Sequence, residues 1–195
     1  MTKSLRRLGQ RGVRLLAFTA LLSTLAVAAM PGSASASYAG WWGQIISKNS
    51  TAGNPMCLGN NSQGYEALES YQWPCNNSGE QLWHMEPTGD GYYTIRQFAN
   101  NECLDVYAFN HAYGAKVTTW PCRNGYTNQQ WRVSRFAEGT GFSLKPRFAE
   151  WDYAGGYPSG KCLDVTGYSH ANGAQVFQWE CNGAINQKWT FDLWP

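Results

Sequence analysis

Two stretches of the sequence carry the same three side-chain types at corresponding positions: Asp105, Trp120 and Asn128 in one, Asp164, Trp179 and Asn186 in the other. A carboxylate accepts hydrogen bonds, an amide both accepts and donates, and an indole offers a flat apolar face with a negative quadrupole. A sugar ring uses all three. Its axial C–H faces are apolar and positively polarised, and its rim of hydroxyls donates and accepts. His111 and His170, each eight residues past a cysteine, lie in a shared polar loop from which they can act as further hydroxyl partners. Plainer readings exist for each residue. The aspartates can cap turns, the tryptophans can be core beside Val117 and Val176, and the histidines can be solvated loop residues. Agreement of all three types in two stretches favours a pocket in each.

The elements that must position these groups are repeats. Residues 103–117 (CLDVYAFNHAYGAKV) and 162–176 (CLDVTGYSHANGAQV) match at nine of 15 positions without a gap. Each stretch continues to a tryptophan two residues before a second cysteine, Trp120 before Cys122 and Trp179 before Cys181. Each then reaches Asn-Gln-x-Trp, ending at Trp131 and Trp189. A degraded copy precedes them, with Cys57-Leu58-Gly59-Asn60, Trp73-Pro74-Cys75 and Glu80-Gln81-Leu82-Trp83. The spans are about 40–88, 89–138 and 139–195. A unit of some 53 residues cannot bury its own apolar face, so the three must share a core. They are too few for a long solenoid and fewer than the blades of a propeller, which leaves a closed threefold assembly. Residues 40–47, 91–97, 115–120 and 174–179 alternate or are rich in β-branched and aromatic types, as strands are. Gly/Asn/Ser clusters at 76–79, 89–91 and 182–183 separate the strands as turns. No convincing amphipathic helix follows residue 36.

Charge and cysteine usage set the compartment and exclude partners. Five of the 15 basic residues fall in the first 14 positions, and no acid precedes Glu66. Residues 16–30 are apolar and residues 31–37 small and polar, the three-part order of a secretory signal. Cleavage is expected after Ala36, with Ala39 as the second choice, leaving residues 37–195 as one secreted domain. A membrane anchor is the alternative, but the apolar run falls short of the ~20 residues that span a bilayer. Beyond the leader, 10 basic residues face 13 acidic ones, a balance that argues against nucleic acid. Aromatics at 15% and charged residues at 14% exclude disorder, coiled coil and collagen. All six cysteines follow the leader, at intervals of 18, 28, 19, 40 and 19. Three near-equal short loops point to disulfides Cys57–Cys75, Cys103–Cys122 and Cys162–Cys181 among the 15 connectivities possible. Each contributes roughly 3 kcal/mol in the chain-entropy account. With no C-x2-C pair and no clustered histidines, no metal site is expected, and no cofactor motif is present.

The C-L-D-V opening, the aromatic two residues before the second cysteine and the closing Q-x-W, three times over, resemble a ricin B-type lectin domain across nearly the whole of residues 37–195. The resemblance implies an all-β fold, a β-trefoil with pseudo-threefold symmetry. Twelve strands would form a six-strand barrel capped by three hairpins, each repeat holding one disulfide. It implies that Trp83, Trp131 and Trp189 are core, and Gln81, Gln129 and Gln187 then satisfy buried backbone groups. Trp41, Trp42, Phe191 and Trp194 would close the barrel where the first and last strands meet. The resemblance also implies roles: the aspartate accepts bonds from two sugar hydroxyls, the tryptophan before the second cysteine stacks, and the asparagine bonds a neighbouring hydroxyl.

Departures qualify that picture. Two residues before the stacking aromatic, where relatives often carry a polar side chain, stand Thr118 and Phe177. The first unit has Gly59 for the aspartate and Glu80 for the asparagine, so it is expected to bind weakly or not at all. The third carries nine extra residues before Cys162, and Trp151, Tyr153 and Tyr157 within them either extend a platform or pack as a flap. The expected function is a secreted, monomeric, non-catalytic carbohydrate-binding protein for galactoside- or plant-polysaccharide-type glycans. The alternative is a protein-binding or inhibitor module with lost sugar sites. A glycosidase would need two carboxyls ~5–10 Å apart, whereas Asp105 and Asp164 fall on different units. No G-x-S-x-G, metal box or phosphate loop is present.

Overall fold

The computed structural model describes residues 42–61, 67–137, 139, 141–150, 153–154, 157–158 and 160–193. The expected leader, Trp41, Trp151 and Trp194 lie outside them. The first unit supplies β1 (Trp42–Ser47), β2 (Met56–Gly59), β3 (Tyr71–Pro74) and β4 (Leu82–Pro87). The second supplies β5 (Tyr93–Gln97), β6 (Cys103–Val106), β7 (Ala115–Trp120) and β8 (Gln130–Arg135). The third supplies β9 (Phe142–Pro146), β12 (Lys161–Val165), β13 (Ala174–Glu180) and β14 (Trp189–Leu193), after a small hairpin, β10 (Tyr153–Ala154) with β11 (Tyr157–Pro158), in its extra segment.

Six strands close on themselves. β1 pairs with β4, β4 with β5, β5 with β8, β8 with β9, β9 with β14 and β14 with β1, all antiparallel. Closure removes the open edges that would otherwise invite aggregation. The expected barrel closure is present, with Ile45 opposite Phe191 in the β1–β14 ladder. The hairpins β2–β3, β6–β7 and β12–β13 form the cap. β13 pairs with both β3 and β7, and the Ser70 N–H donates to the Val117 carbonyl at 2.7 Å, closing the triangle. The architecture is a β-trefoil, and the disulfides join Cys57–Cys75, Cys103–Cys122 and Cys162–Cys181, one per unit.

The same clamp recurs in each unit. Trp83, Trp131 and Trp189 are fully buried, and their Nε1–H groups donate to the carbonyls of Leu58, Leu104 and Leu163 at 3.0, 2.9 and 3.1 Å. The glutamine two residues earlier bridges the turn after the second cysteine. Gln81, Gln129 and Gln187 donate through Nε2 to Pro74, Pro121 and Glu180 carbonyls. Their Oε1 atoms accept the N–H groups of Asn76, Arg123 and Asn182. A buried amide is satisfied at both ends, as buried polar groups require. One prediction tests this clamp. Trp131→Phe removes the bond to Leu104 and leaves a void, so urea denaturation should show a loss of about 2–4 kcal/mol. A loss below about 0.5 kcal/mol would mean the clamp is not structural.

Candidate functional site

Strand register brings the sequence-distant groups together. Across the β6–β7 hairpin Cys103 faces Trp120 and Asp105 faces Thr118; across β12–β13 Cys162 faces Trp179 and Asp164 faces Phe177. Residues two apart on a strand share a face, so aspartate and tryptophan are diagonal neighbours on one side of each hairpin. Beyond each aspartate the chain turns sharply through two residues with positive φ, Ala108 and Phe109 in one unit, Gly167 and Tyr168 in the other. Gly167 takes that conformation without strain, whereas Ala108 pays for its Cβ.

The asparagines complete the floor. Asn128 Nδ2 donates to Asp105 Oδ2 at 2.9 Å and to the Val106 carbonyl at 3.0 Å. Asn186 Nδ2 donates to Asp164 Oδ1 at 2.9 Å and to the Val165 carbonyl at 3.0 Å. Gln187 Nε2 adds a bond of 2.7 Å to Asp164 Oδ2. Both amide nitrogens are thus committed, and each asparagine's Oδ1 is left buried with no donor from the described residues. The Oε1 atoms of Gln72, Gln97 and Gln178 are buried in the same way. The tryptophans are not buried: Trp179 is 39% exposed and Trp120 is half-buried with Tyr107 edge-on at 6.0 Å. In the third unit Asp164, Asn186, Phe177 and Trp179 line a cavity of about 450 Å³, with Thr166, Gly167 and Tyr168 from the turn beyond Asp164.

Trp179 and Trp73 also meet the neighbouring unit, a contact that residue spacing does not reveal. The loop before β7 lies against Trp179, whose ring sits 5.2 Å from that of Tyr113. Gln178, next to Trp179, anchors this loop by donating to the carbonyls of Asn110 and Ala112 at 2.8 and 3.1 Å. Gln72, next to Trp73, does the same for the third unit's loop, donating to the Ser169 and Ala171 carbonyls. The Asp164 cavity is therefore composite, with Gly114 of the second unit in its lining. His111 packs edge-on against Phe148 at 4.7 Å, and His170 is exposed on its loop, outside the lining of the Asp164 cavity. Of the extra segment's aromatics, only the backbone pairing of Tyr153 and Tyr157 within β10–β11 is described. No cluster of three or more metal-ligating side chains occurs among the described residues.

Asp105 and Asp164 are each only 3% exposed. Burial pushes Asp105 up to about 7, against hydrogen bonds from Gln129 and Asn128 and the charge of Arg123. Burial pushes Asp164 up to about 6, against bonds from Gln187 and Asn186. The sign for stability follows. In the window from the ordinary aspartate value up to about 7, the unfolded chain has lost the Asp105 proton and the native state keeps it. Stability therefore falls as pH rises through that window. Asp105→Asn should be stabilising at pH 8 by on the order of 3 kcal/mol relative to its effect at pH 4. Paired urea titrations measure this, and an equal effect at both pH values would show that the buried carboxylate carries no such cost.

The geometry has counterparts among known proteins. The ricin-type β-trefoil lectin domain matches residues 41–140, and a second ricin-type β-trefoil lectin-like domain description matches residues 157–193. No curated protein matches the sequence. Among solved structures, the designed threefold-symmetric protein ThreeFoil superposes with a TM-score of 0.65 at 26% identity, covering 77% of this chain and 96% of that one. An exo-β-1,3-galactanase from Clostridium thermocellum superposes with a TM-score of 0.66 at 25% identity, over 80% of this chain but 30% of that one. The C-terminal half of an earthworm R-type lectin, solved with GalNAc, gives 0.55 at 18% identity, over 79% and 99%. With a family match over more than half its length, laid on a closed barrel with three hairpins, the chain belongs to the ricin-type β-trefoil lectin family of carbohydrate-binding domains.

Proposed function

We propose that the chain is a secreted, non-catalytic lectin that holds galactoside- or plant-polysaccharide-type glycans in two pockets, one in the second unit and one in the third. The observation that carries this reading is the duplicated floor. A carboxylate fixed by an asparagine amide lies beside a partly exposed indole. A sugar hydroxyl can donate to Asp164 in the cavity while the C–H face of the ring covers Trp179. Asp105, Asn128 and Trp120 offer the same set. Hydrogen bonds to an ionised acceptor are the stronger kind, and the Asn and Gln bonds fix the carboxylates before any ligand arrives, which lowers the ordering cost of binding.

The non-catalytic reading is supported at the third unit's cavity, where Asp164 is the only carboxylate in the lining among the described residues, whereas glycosidic hydrolysis uses a pair. Likeness to the galactanase spans a minor part of that enzyme, so its chemistry is not carried over. Two weak pockets on one rigid body gain strength by engaging a polymer together.

A glycan array followed by calorimetry tests the reading. Galactosides, galactan, xylan and arabinan form the first panel. Asp105→Ala and Asp164→Ala should each weaken binding by about tenfold or more, and the double variant should abolish it. Because the carboxylate must be ionised to accept two hydroxyls, affinity should fall on acidification, from about pH 7 downward in the second unit and from about pH 6 in the third. A folded wild type that binds nothing in the panel would overturn the assignment.

A further inference from the structure

The first unit lacks both polar residues of the other two floors, yet its cleft is open. Asn61, Tyr71, Trp73 and Glu80 line a cavity of about 540 Å³, larger than the one at Asp164. Trp73 is 42% exposed, and the third unit's Gly173 backs its ring, a Cβ there falling 3.6 Å from the indole. The composite wall of the Asp164 cavity is thus reproduced. What differs is the floor. Register places Tyr71 opposite Gly59, the pairing that Phe177 and Asp164 make in the third unit. A Cβ on Gly59 would lie 2.8 Å from the Tyr71 ring and 3.3 Å from its hydroxyl. Gly59 and Tyr71 are therefore one exchange: the phenol occupies the volume an aspartate side chain would need.

Charge is redistributed as well. Glu80 stands where the other units have asparagine, Glu69 joins it in the lining, and among the described residues no Lys or Arg lines the cleft. Lys116, on β7, directs its ammonium to the Ala67 carbonyl at 2.9 Å. The proximity of Glu80 adds to burial in holding the Tyr71 hydroxyl above its ordinary value. Two carboxylates around an exposed indole, with no cation in the wall, make a cleft of negative potential, and such a cleft concentrates cations. A neutral sugar leaves that potential unbalanced. A sugar ring bearing an ammonium balances it, placing its charge at Glu80 and its C–H face on Trp73, where the ring quadrupole favours an adjacent cation.

We infer that the first unit is a third site of altered chemistry, which binds amino sugars with a free amine, such as the glucosamine units of de-N-acetylated chitin oligomers. For its ligand class this rests on the carbohydrate-binding reading above, but not on the sites at Asp105 and Asp164.

Calorimetric titration of the full chain with a fully deacetylated glucosamine tetramer and with its N-acetylated counterpart tests it. The deacetylated oligomer should bind about tenfold tighter or better, and the difference should shrink as salt is raised. Trp73→Ala and Glu80→Gln should each weaken it by about tenfold, and Glu69→Gln by less. Binding should persist in the Asp105→Ala/Asp164→Ala double variant. Equal affinity for the two oligomers, indifference to Glu80→Gln in a folded protein, or loss in the double variant would overturn the inference. Failure of the neutral glycans alone, with the amine-dependent binding intact, would remove the proposed galactoside or polysaccharide function and leave this site standing.

Discussion

Everything in this molecule depends on what three buried indoles do with their single N–H. Each donates to the carbonyl of the leucine that directly precedes Gly59, Asp105 or Asp164. The bond ties the closing strand of a unit to the hairpin that carries its floor, inside a buried core where an unmade bond costs about 1–3 kcal/mol. In the third unit the lattice is continuous. Trp189 holds the Leu163 carbonyl, Gln187 and Asn186 hold the Asp164 carboxylate, and Asn186 also holds the Val165 carbonyl. Core and site are successive residues of one hydrogen-bonded strip, so the Asp164 floor is as rigid as the barrel beneath it.

That coupling explains what could be read from residue order and what could not. Strands, repeats and disulfide partners are written in local patterns, because each is fixed by alternation or by a short loop between cysteines, whereas the burial of the Q-x-W tryptophans follows from the family resemblance. The pairing of Asp164 with Asn186 follows from repetition of the same triad. The position of Tyr113 against Trp179 does not. It arises because the Gln178 amide grips a loop of the preceding unit, and only closure of the threefold cap brings those units into contact. His111 and His170 share a sequence position, and neither is placed at the Asp164 cavity. The loop's backbone is fixed by neighbouring glutamines, and His111 settles on Phe148 of the third unit.

The substitution of Gly59 was legible as a loss and not as an exchange. A glycine in place of an aspartate reads as decay when Tyr71 is ignored. Once the register pairs the two, the glycine becomes the condition for the tyrosine, since any Cβ would meet its ring. Thr118 and Phe177 at the corresponding positions leave room for an aspartate opposite. A residue two places before the stacking tryptophan therefore governs which group forms the floor.

The cost of that floor is uneven among the units, and the unevenness has a direction. Asp105 and Asp164 are buried carboxylates whose charged forms the fold disfavours, and beside them lie two asparagine oxygens that no described residue satisfies. Each carboxylate is nevertheless tied into the fold, accepting from Asn128 in the second unit and from Asn186 and Gln187 in the third, while the same asparagines hold the Val106 and Val165 carbonyls. The first unit took the other course. It replaced the buried charge with a phenol and moved its carboxylates to Glu69 and Glu80, in the wall of a more open cleft, where water hydrates them when no cation is bound. Its tryptophan nevertheless stayed exposed and its neighbour's loop stayed in place. The first unit thus has the exposed indole and the neighbouring loop of the third unit's cavity, on a floor of different chemistry.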